Sequence, residues 1–370
     1  MERSYKFRLY PNKQQEQLIR RTFGCCRFVY NHFLSIRKER YETSQETLNY
    51  VACSRELTIL KNELTWLKEV DCVSLQEALR NLDKAYQNFF RGLKYGRKVG
   101  YPVFKTKRTH RQSYRTKNHG NTIAISERKI KLPKLGFVKC AISKKVEGRI
   151  LSATVIQNPS GKYFLSLCCT DVDIPKFPRT GAVIGIDLGL MDIAVTSDGI
   201  RYQNNRYAHA SEKKLARLQK QLSRKSKGSK NREKARIKVA RLYEHIENQR
   251  RDAMQKLTTE IVRGYDVICI EDLNVGDMIK NQRIAKSVSD ASFAEFRREL
   301  EYKSAWYGKT ISVVDAFYPS SQLCSVCGYR NTGTKDLSVR TWVCPECGTI
   351  HDRDVNAAKN ILNEGMRLIA

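Results

Sequence analysis

Nowhere in the 370 residues do apolar side chains run unbroken for anything near 18 positions, the length that a membrane-spanning helix needs. The first ten residues place charge in every turn and hold no apolar run of the kind a secretory signal requires. Both absences point to a soluble, cytoplasmic protein. Acids are scarce too: 38 Asp and Glu stand against 68 Lys and Arg, a net charge of +30. A chain so lopsided repels itself unless a polyanion neutralises it, and nucleic acid is the expected partner. No basic amphipathic helix stands apart from the globular pattern, which argues against an anionic membrane in that role. No internal repeat is visible. Core material, by contrast, is plentiful. Hydrophobic residues make up 41% and aromatics 9%, which excludes wholesale disorder, and the length suits two or three domains.

The pattern reads as α+β and multi-domain. Residues 3–10 alternate apolar and basic, as a half-buried strand does. Pro11 and Asn12 open a helical region, with helical spacing again at 57–67 and 75–90, that ends among the glycines of 92–100. Turns at Gly120-Asn, Glu147-Gly and Ser160-Gly divide 121–170 into short strands. A β-barrel-like module built from 1–10 and 101–175, with a helical insertion between, accounts for this order. Pro175, Pro178 and Gly181 mark a linker. Beyond it, 182–187, 193–197 and 200–202 open an antiparallel meander through a tight Asp198-Gly199 turn. A helical hairpin about Gly228-Ser229, a buried strand at 267–271, a helix at 290–307, a strand at 311–314 and a helix from 354 to about 368 complete the reading.

Two segments concentrate the charge. Residues 101–118 carry six Lys/Arg and no acid, with Tyr101, Phe104 and Tyr114 interleaved. Cations for phosphate and rings for bases make a nucleic-acid surface, with Lys105, Lys107, Arg108, Arg111, Tyr114 and Arg115 as its candidate contacts. A basic loop laid over a core has the same composition. Residues 206–251 hold 16 Lys/Arg against 4 Glu. Without matching acids at i,i+4, a phosphate-facing role is favoured over a solvated surface, and Arg224, Lys225, Lys227 and Lys230 lie at the hairpin's turn.

Of the 12 cysteines, eight (25, 26, 53, 72, 140, 168, 169 and 269) are scattered, mostly in apolar runs, and read as small buried hydrophobes. The other four are Cys324-Ser-Val-Cys327, then after sixteen residues Cys344-Pro-Glu-Cys347, each pair followed by glycine. Four thiolates so spaced suit tetrahedral Zn²⁺, with 339–343 as a ribbon strand; an iron–sulfur centre is the alternative. Four sulfurs leave no coordination position open, so the metal would hold structure. His351 is near, but the set is complete without it.

Three carboxylates form a second constellation. Asp187 and Glu271 each end an apolar strand, and Asp354 begins the last helix. Three converging acids would hold two Mg²⁺ ions, activating a water and stabilising the leaving oxygen of a phosphodiester. Singly, each is also what a solvated strand or helix end looks like. Asp352 competes with Asp354, which is better placed because Ala357 and Ala358 let its helix lie close against a sheet.

Gly185-Ile-Asp-Leu-Gly189, Ile270-Glu-Asp-Leu273, Tyr318-Pro-Ser-Ser-Gln-Leu-Cys-Ser-Val-Cys-Gly328 and Asp352-Arg-Asp-Val-Asn-Ala-Ala358 together resemble the TnpB (OrfB) family of insertion-sequence proteins, compact relatives of type V CRISPR effectors. Arg8-Leu-Tyr-Pro-Asn12, Phe28-Val-Tyr-Asn31, Gln112-Ser-Tyr-Arg115 and Lys227-Gly-Ser-Lys230 extend the likeness over essentially the whole chain. The resemblance implies an RNA-guided double-stranded DNA endonuclease, one protein per RNA, in the prokaryotic cytoplasm at the nucleoid. Its guide RNA would derive from the transposon end, and its activity would support transposon maintenance. It implies a wedge barrel (1–10 and 101–178) with a helical recognition insertion (11–100). A RuvC-type, RNase H-like nuclease (179–320 and 350–370) would be interrupted by a zinc ribbon (321–349). Asp187, Glu271 and Asp354 match the family's catalytic positions and are intact, unlike those of nuclease-dead guided repressors. Base pairing would read sequence and Lys/Arg would hold the heteroduplex backbone. Tyr50, Ser54, Gln76 and Thr116 would read a short motif beside the target, though Gln76 fits an exposed helix position equally. A transposing enzyme with a covalent tyrosine or serine intermediate lacks support, because no His-hydrophobe-His pair accompanies a helical tyrosine. An actin-like ATPase would need a second glycine-rich phosphate loop.

Overall fold

The alternation in residues 3–10 yields the expected strand in the computed structural model. In β1 (Arg3–Tyr10), Tyr5, Phe7 and Leu9 are buried while Ser4, Lys6 and Tyr10 face outward. The structure describes every residue except Arg97, Thr109 and Leu337; the parts of the helical, basic and cysteine segments that fall on these three lie outside the described residues. The chain divides into two units, Met1–Asp173 and Ile174–Ala370, at the start of the expected linker. No described helix is long and apolar enough to cross a membrane.

In the first unit Asn12 stops β1 and starts α1 (Lys13–Ser44) through a capping box, its Oδ1 accepting from Gln15 N–H at 2.8 Å while Gln15 Oε1 accepts from Asn12 N–H at 3.1 Å. Two further helices, α2 (Tyr50–Glu63) and α3 (Cys72–Lys94), complete the helical insertion. Six strands follow: β2 (Gln112–Lys117), β3 (Ala124–Ser126), β4 (Lys129–Leu132), β5 (Gly136–Ala141), β6 (Arg149–Gln157) and β7 (Tyr163–Thr170). They join β1 in one antiparallel sheet ordered β2-β6-β7-β1-β5-β4-β3, so the pairing runs from β2 to β3 without closing into a ring among the described residues. The chain's first strand thus lies inside the sheet, between β5 and β7.

In the second unit β8 (Val183–Asp187), β9 (Asp192–Thr196) and β10 (Arg201–Gln203) form the expected meander. The basic segment folds as α4 (Tyr207–Ala210), α5 (Glu212–Ser223) and the long α6 (Lys230–Gly264). Then come β11 (Val267–Glu271), α7 (Val275–Lys280), α8 (Ala285–Ala291), α9 (Phe293–Tyr307) and β12 (Thr310–Val314). Last are β13 (Thr341–Val343), β14 (Ile350–Asp352) and α10 (Arg353–Arg367). The sheet order is β10-β9-β8-β11-β12, with β11 parallel to both β8 and β12. One face packs Ile184, Ile186, Ile268 and Ile270 against Met254 and Ile261 of α6 and Phe296 and Leu300 of α9. On the other, Cys269 and Val314 meet Ile361 of α10. Between α6 and α9 lies a buried ion pair, Lys303 to Glu299 at 3.2 Å. Thr258 donates to Glu299 at 2.8 Å, and the Lys303 ammonium also reaches Thr258, Thr259 and the Gln255 carbonyl.

Three expectations are corrected. The helix read as 290–307 starts at Phe293, because Ser292 takes a left-handed φ of 58° that separates α8 from α9. The ribbon strand read as 339–343 is shorter, Thr341–Val343. Six of the eight scattered cysteines are buried as expected, but Cys72, the first residue of α3, is exposed, and Cys168 is half-buried.

Candidate nuclease centre and its zinc ribbon

Asp187 and Glu271 reach the same sheet edge because β8 and β11 are parallel neighbours, Ile186 paired with Ile270. Asp354 arrives from the other direction, in the first turn of α10. Asp352 caps that helix, its Oδ1 accepting from the Asp354 and Val355 N–H groups at 3.1 and 3.0 Å. This separates the two competing acids: Asp352 holds the helix start, and Asp354 is free of that duty. Small residues bring α10 down onto the sheet. A Cβ on Gly185 would lie 2.0 Å from the Ala358 carbonyl oxygen, and one on Gly365 would lie 2.5 Å from Cys269 Sγ.

Asp187 feels the other two acids. Burial, then the charges of Glu271 and Asp354, push Asp187 up to about 8, against a smaller opposing pull from Arg353 and Arg201. Burial also raises Glu271, while a hydrogen bond from the Ser320 hydroxyl opposes the rise. Asp354 meets cations instead: Arg201 Nη1 at 3.4 Å and Arg340 Nη1 at 3.6 Å. The Arg201 fork also grips Asp352 at 2.7 Å and Asp192 at 2.9 Å.

The four ribbon thiols lie mutually within 4.8 Å, the one cluster of three or more such ligand atoms so tight among the described residues. Cys324 and Cys347 sulfurs are 3.6 Å apart, and those of Cys327 and Cys344 3.5 Å. The two knuckles repeat one geometry. Gly328 N–H donates to the Cys324 carbonyl and Gly348 N–H to that of Cys344, both at 2.9 Å, with φ of 80° and 69° that glycine alone adopts cheaply. A closed four-thiol set fits Zn²⁺. His351 is buried with Nε2 3.0 Å from Cys324 Sγ and its ring against Trp342. The three carboxylates do not close to the thiols' span.

Ribbon and acids are mechanically joined. Asn356 accepts from Ser325 N–H at 2.9 Å and donates to the Leu323 carbonyl at 2.6 Å. One turn on, Asn360 donates to the Ser320 and Leu323 carbonyls at 2.7 Å. Both asparagines are buried. So α10, which carries Asp354, is clamped to the first knuckle and to the segment whose Ser320 touches Glu271.

The candidate nucleic-acid contacts separate into three places. Alternation in β2 turns Tyr114 and Thr116 inward and Arg115 outward. Tyr114, expected to stack on bases, is instead a core residue set edge-on to Phe23 with centroids 5.8 Å apart, a correction; Thr116 is also buried, its Oγ1 without a hydrogen-bond partner among the described residues. Around the buried Glu77 carboxylate gather Arg80 at 3.3 Å, Lys117 at 3.5 Å and Arg115 at 3.9 Å, and Arg80 lies over the Tyr50 ring at 4.6 Å. Tyr50, Ser54 and Gln76 are half-buried on α2 and α3. Lys105, Lys107, Arg108 and Arg111 are exposed, and Asn31 pins the Lys105 backbone at both N–H and carbonyl, 2.8 and 2.9 Å. Arg224, Lys225, Lys227 and Lys230 are exposed at the α5–α6 turn, which Arg232 fixes by donating to the Leu222 and Lys225 carbonyls at 3.0 Å. Glu77, Arg80, Arg201, Ser320, Asn356 and Asn360 escaped the sequence reading. Two helix-interior asparagines four apart were the available signal for the last pair, since Asn is a poor helix former.

Residues 166–282 match a family model of OrfB proteins described as "Probable transposase", residues 293–361 one described as "Cas12f1-like, TNB domain", and residues 1–46 one described as "Helix-turn-helix domain". The last span is here a strand and one unbroken helix. A Streptomyces pristinaespiralis protein named "Putative RNA-guided DNA endonuclease" is 38% identical, over 99% of this chain and 90% of its own. Escherichia coli K12 "Putative RNA-guided DNA endonuclease InsQ" is 35% identical over 99% and 93%. Among solved structures, one described as "Structure of the mini-RNA-guided endonuclease CRISPR-Cas_phi3" shares the fold with a TM-score of 0.54 at 10% identity, covering 98% of this chain and 92% of that one.

Proposed function

Because the chain belongs to the TnpB (OrfB) family, we propose that it is an RNA-guided DNA endonuclease whose hydrolytic centre is built from Asp187, Glu271 and Asp354. The observation that carries this is the convergence of three acids at one sheet edge, where burial and then the charges of Glu271 and Asp354 push Asp187 up to about 8 against the weaker pull of Arg353 and Arg201. Hard oxygen donors so gathered fit divalent Mg²⁺. Asp187, Glu271 and Asp354 would hold two such ions, which when bound supply Lewis acidity and a water of lowered pKa. The chain's own part is to orient these acids: Ser320 fixes Glu271, Asp352 and the asparagine clamp fix Asp354, and two parallel strands fix Asp187.

The sheet order, a meander followed by two strands parallel to its first, supports an RNase H-like, RuvC-type domain over 179–320 and 350–370. The ribbon between, with Zn²⁺ on Cys324, Cys327, Cys344 and Cys347, supports a structural role. In the first unit the sheet and its helical insertion support the wedge and recognition assignments. The guide RNA would come from the transposon end, one protein to each RNA. Lys105, Lys107, Arg108, Arg111, Arg115 and the α5–α6 turn cations would hold nucleic-acid backbone. Tyr50, Ser54 and Gln76, beside the cations gathered on Glu77, would read the adjacent motif.

The test is cleavage of a plasmid library with randomised sequence beside a fixed target. The protein is co-expressed with its native transposon end, retargeted to that plasmid. Guide-dependent cutting that disappears with Asp187→Ala and with EDTA is expected. Binding without cutting, unchanged by Asp187→Ala, would make the protein a guided repressor and overturn the proposal.

A further inference from the structure

Phe317 is 93% exposed, more than any other large hydrophobic side chain described; Val103 follows at 75%. Its backbone is nevertheless held in place. The Phe317 N–H donates to the Asp315 carboxylate at 2.8 Å and the Tyr318 N–H to the Asp315 carbonyl at 3.0 Å. Tyr318, the next residue, packs on the cluster of Cys269, Val314 and Ile361. A fixed turn therefore presents a bare ring to solvent.

Where it presents the ring matters more. Val314, the last residue of β12, is paired in register with Glu271, and its carbonyl accepts from the Asp272 N–H at 2.9 Å. Six residues later Ser320 donates to the Glu271 carboxylate. The loop leaves from Glu271 and returns to it, with Phe317 at its midpoint. Three residues reach at most about 11 Å, so the Phe317 Cα lies within that distance of those of Val314 and Ser320, the two residues that bracket Glu271.

We propose that Phe317 is a stacking post for an unpaired nucleobase of the DNA strand being cut, next to the scissile phosphate. This deepens, and rests on, the nuclease reading. A base inside a duplex is already stacked on both faces; only an unpaired strand can lend one to a protein ring. A guide paired to one DNA strand leaves the other unpaired in that way. A phenyl ring carries neither charge nor hydrogen-bonding group, so it accepts any base. The post therefore positions the strand without adding sequence preference.

The experiment uses the full chain loaded with guide RNA and compares Phe317→Ala, Phe317→Leu and Phe317→Trp. In an Asp187→Asn background, target DNA carries 2-aminopurine at successive positions around the cut. The Phe and Trp proteins should quench one or two adjacent positions; the Ala and Leu proteins should not. In the cutting enzyme, Ala and Leu should weaken productive binding about 5- to 150-fold, the equivalent of about 1–3 kcal/mol per stacked base. Trp should restore it, and the melting temperature should not change. An active enzyme in which Phe317→Ala matches wild type in both quenching and KM overturns the stacking post alone, as does a Leu variant that matches Phe. A protein that cuts nothing with Phe317 in place overturns the nuclease reading first and this inference with it.

Discussion

Gly185 in β8 and Ala358 in α10 approach so closely that the strand has no room for a single methyl group: a Cβ on Gly185 would lie 2.0 Å from the Ala358 carbonyl oxygen and 2.7 Å from the Leu362 nitrogen. Both obstacles are backbone, which cannot rotate aside. The seating of α10 and the position of Asp354 upon it thus depend on a missing side chain in a neighbouring strand.

Gly185→Ala should therefore destabilise the protein by about 1–3 kcal/mol through overpacking. It should also slow cleavage at temperatures where the variant is still folded, because α10 and Asp354 must move outward. Thermal unfolding and a cleavage rate taken well below the transition separate the two effects.

If the proposed roles hold, the asparagine clamp should make zinc and catalysis mutually dependent. Asn356→Ala strands the Ser325 N–H, while the Leu323 carbonyl keeps Asn360, at about 1–3 kcal/mol for a part-buried group left unpaired. The variant should lose zinc to a chelator faster than wild type, and its cleavage should fall although no carboxylate was changed. Metal analysis of the wild type should give about one zinc per chain, and Cys344→Ser should abolish it.

Asp187 makes a prediction about pH. Its folded value of about 8 lies above the ordinary carboxylate value of 3.8. Without divalent metal, the fold keeps a proton that the unfolded chain releases between those values. Stability should therefore decline as pH rises from about 4 to 8 and then level off. In EDTA, Asp187→Asn should leave the melting temperature unchanged near pH 4 and raise it near pH 9. Glu271, also raised, leaves a residual slope of the same sign.

Lys303→Met should be severe. It leaves Glu299, fully buried, with Thr258 and Gln255 but without a cation, and breaking one side of a buried pair costs about 3–5 kcal/mol. Replacing Glu299 by Leu in the same protein should recover much of the loss, since neither charge is then stranded. Melting temperatures of the two single variants and the double variant test this.

Much of this was readable in the sequence because it is local. Knuckle cysteines followed by glycine, acids ending apolar runs and a helix start rich in small residues announce themselves within ten positions. Ser320, Asn356 and Asn360 do not, since their partners lie 31 to 49 residues away. Composition misled at Tyr114: the aromatic among cations resembled a stacking ring, but the two-residue period of β2 sends it into the core. Glu77 was invisible for a different reason: its charge partners Arg115 and Lys117 stand on a strand 38 and 40 positions on, and a lone acid in a helix says nothing about them.

The place of β1 has a consequence for how the chain acquires its structure. Leu9 is paired with both Cys140 and Tyr163, so this strand has no neighbour until well over a hundred further residues exist. Pairings of such long range are slow to form. Until they do, Tyr5, Phe7 and Leu9 offer an apolar edge to whatever is near, the condition under which chains aggregate. Arg3, Lys6 and Arg8, interleaved along the same eight residues, put a charge beside each of those side chains. The basicity that suits a polyanion would also keep the waiting strand from pairing with its own copies.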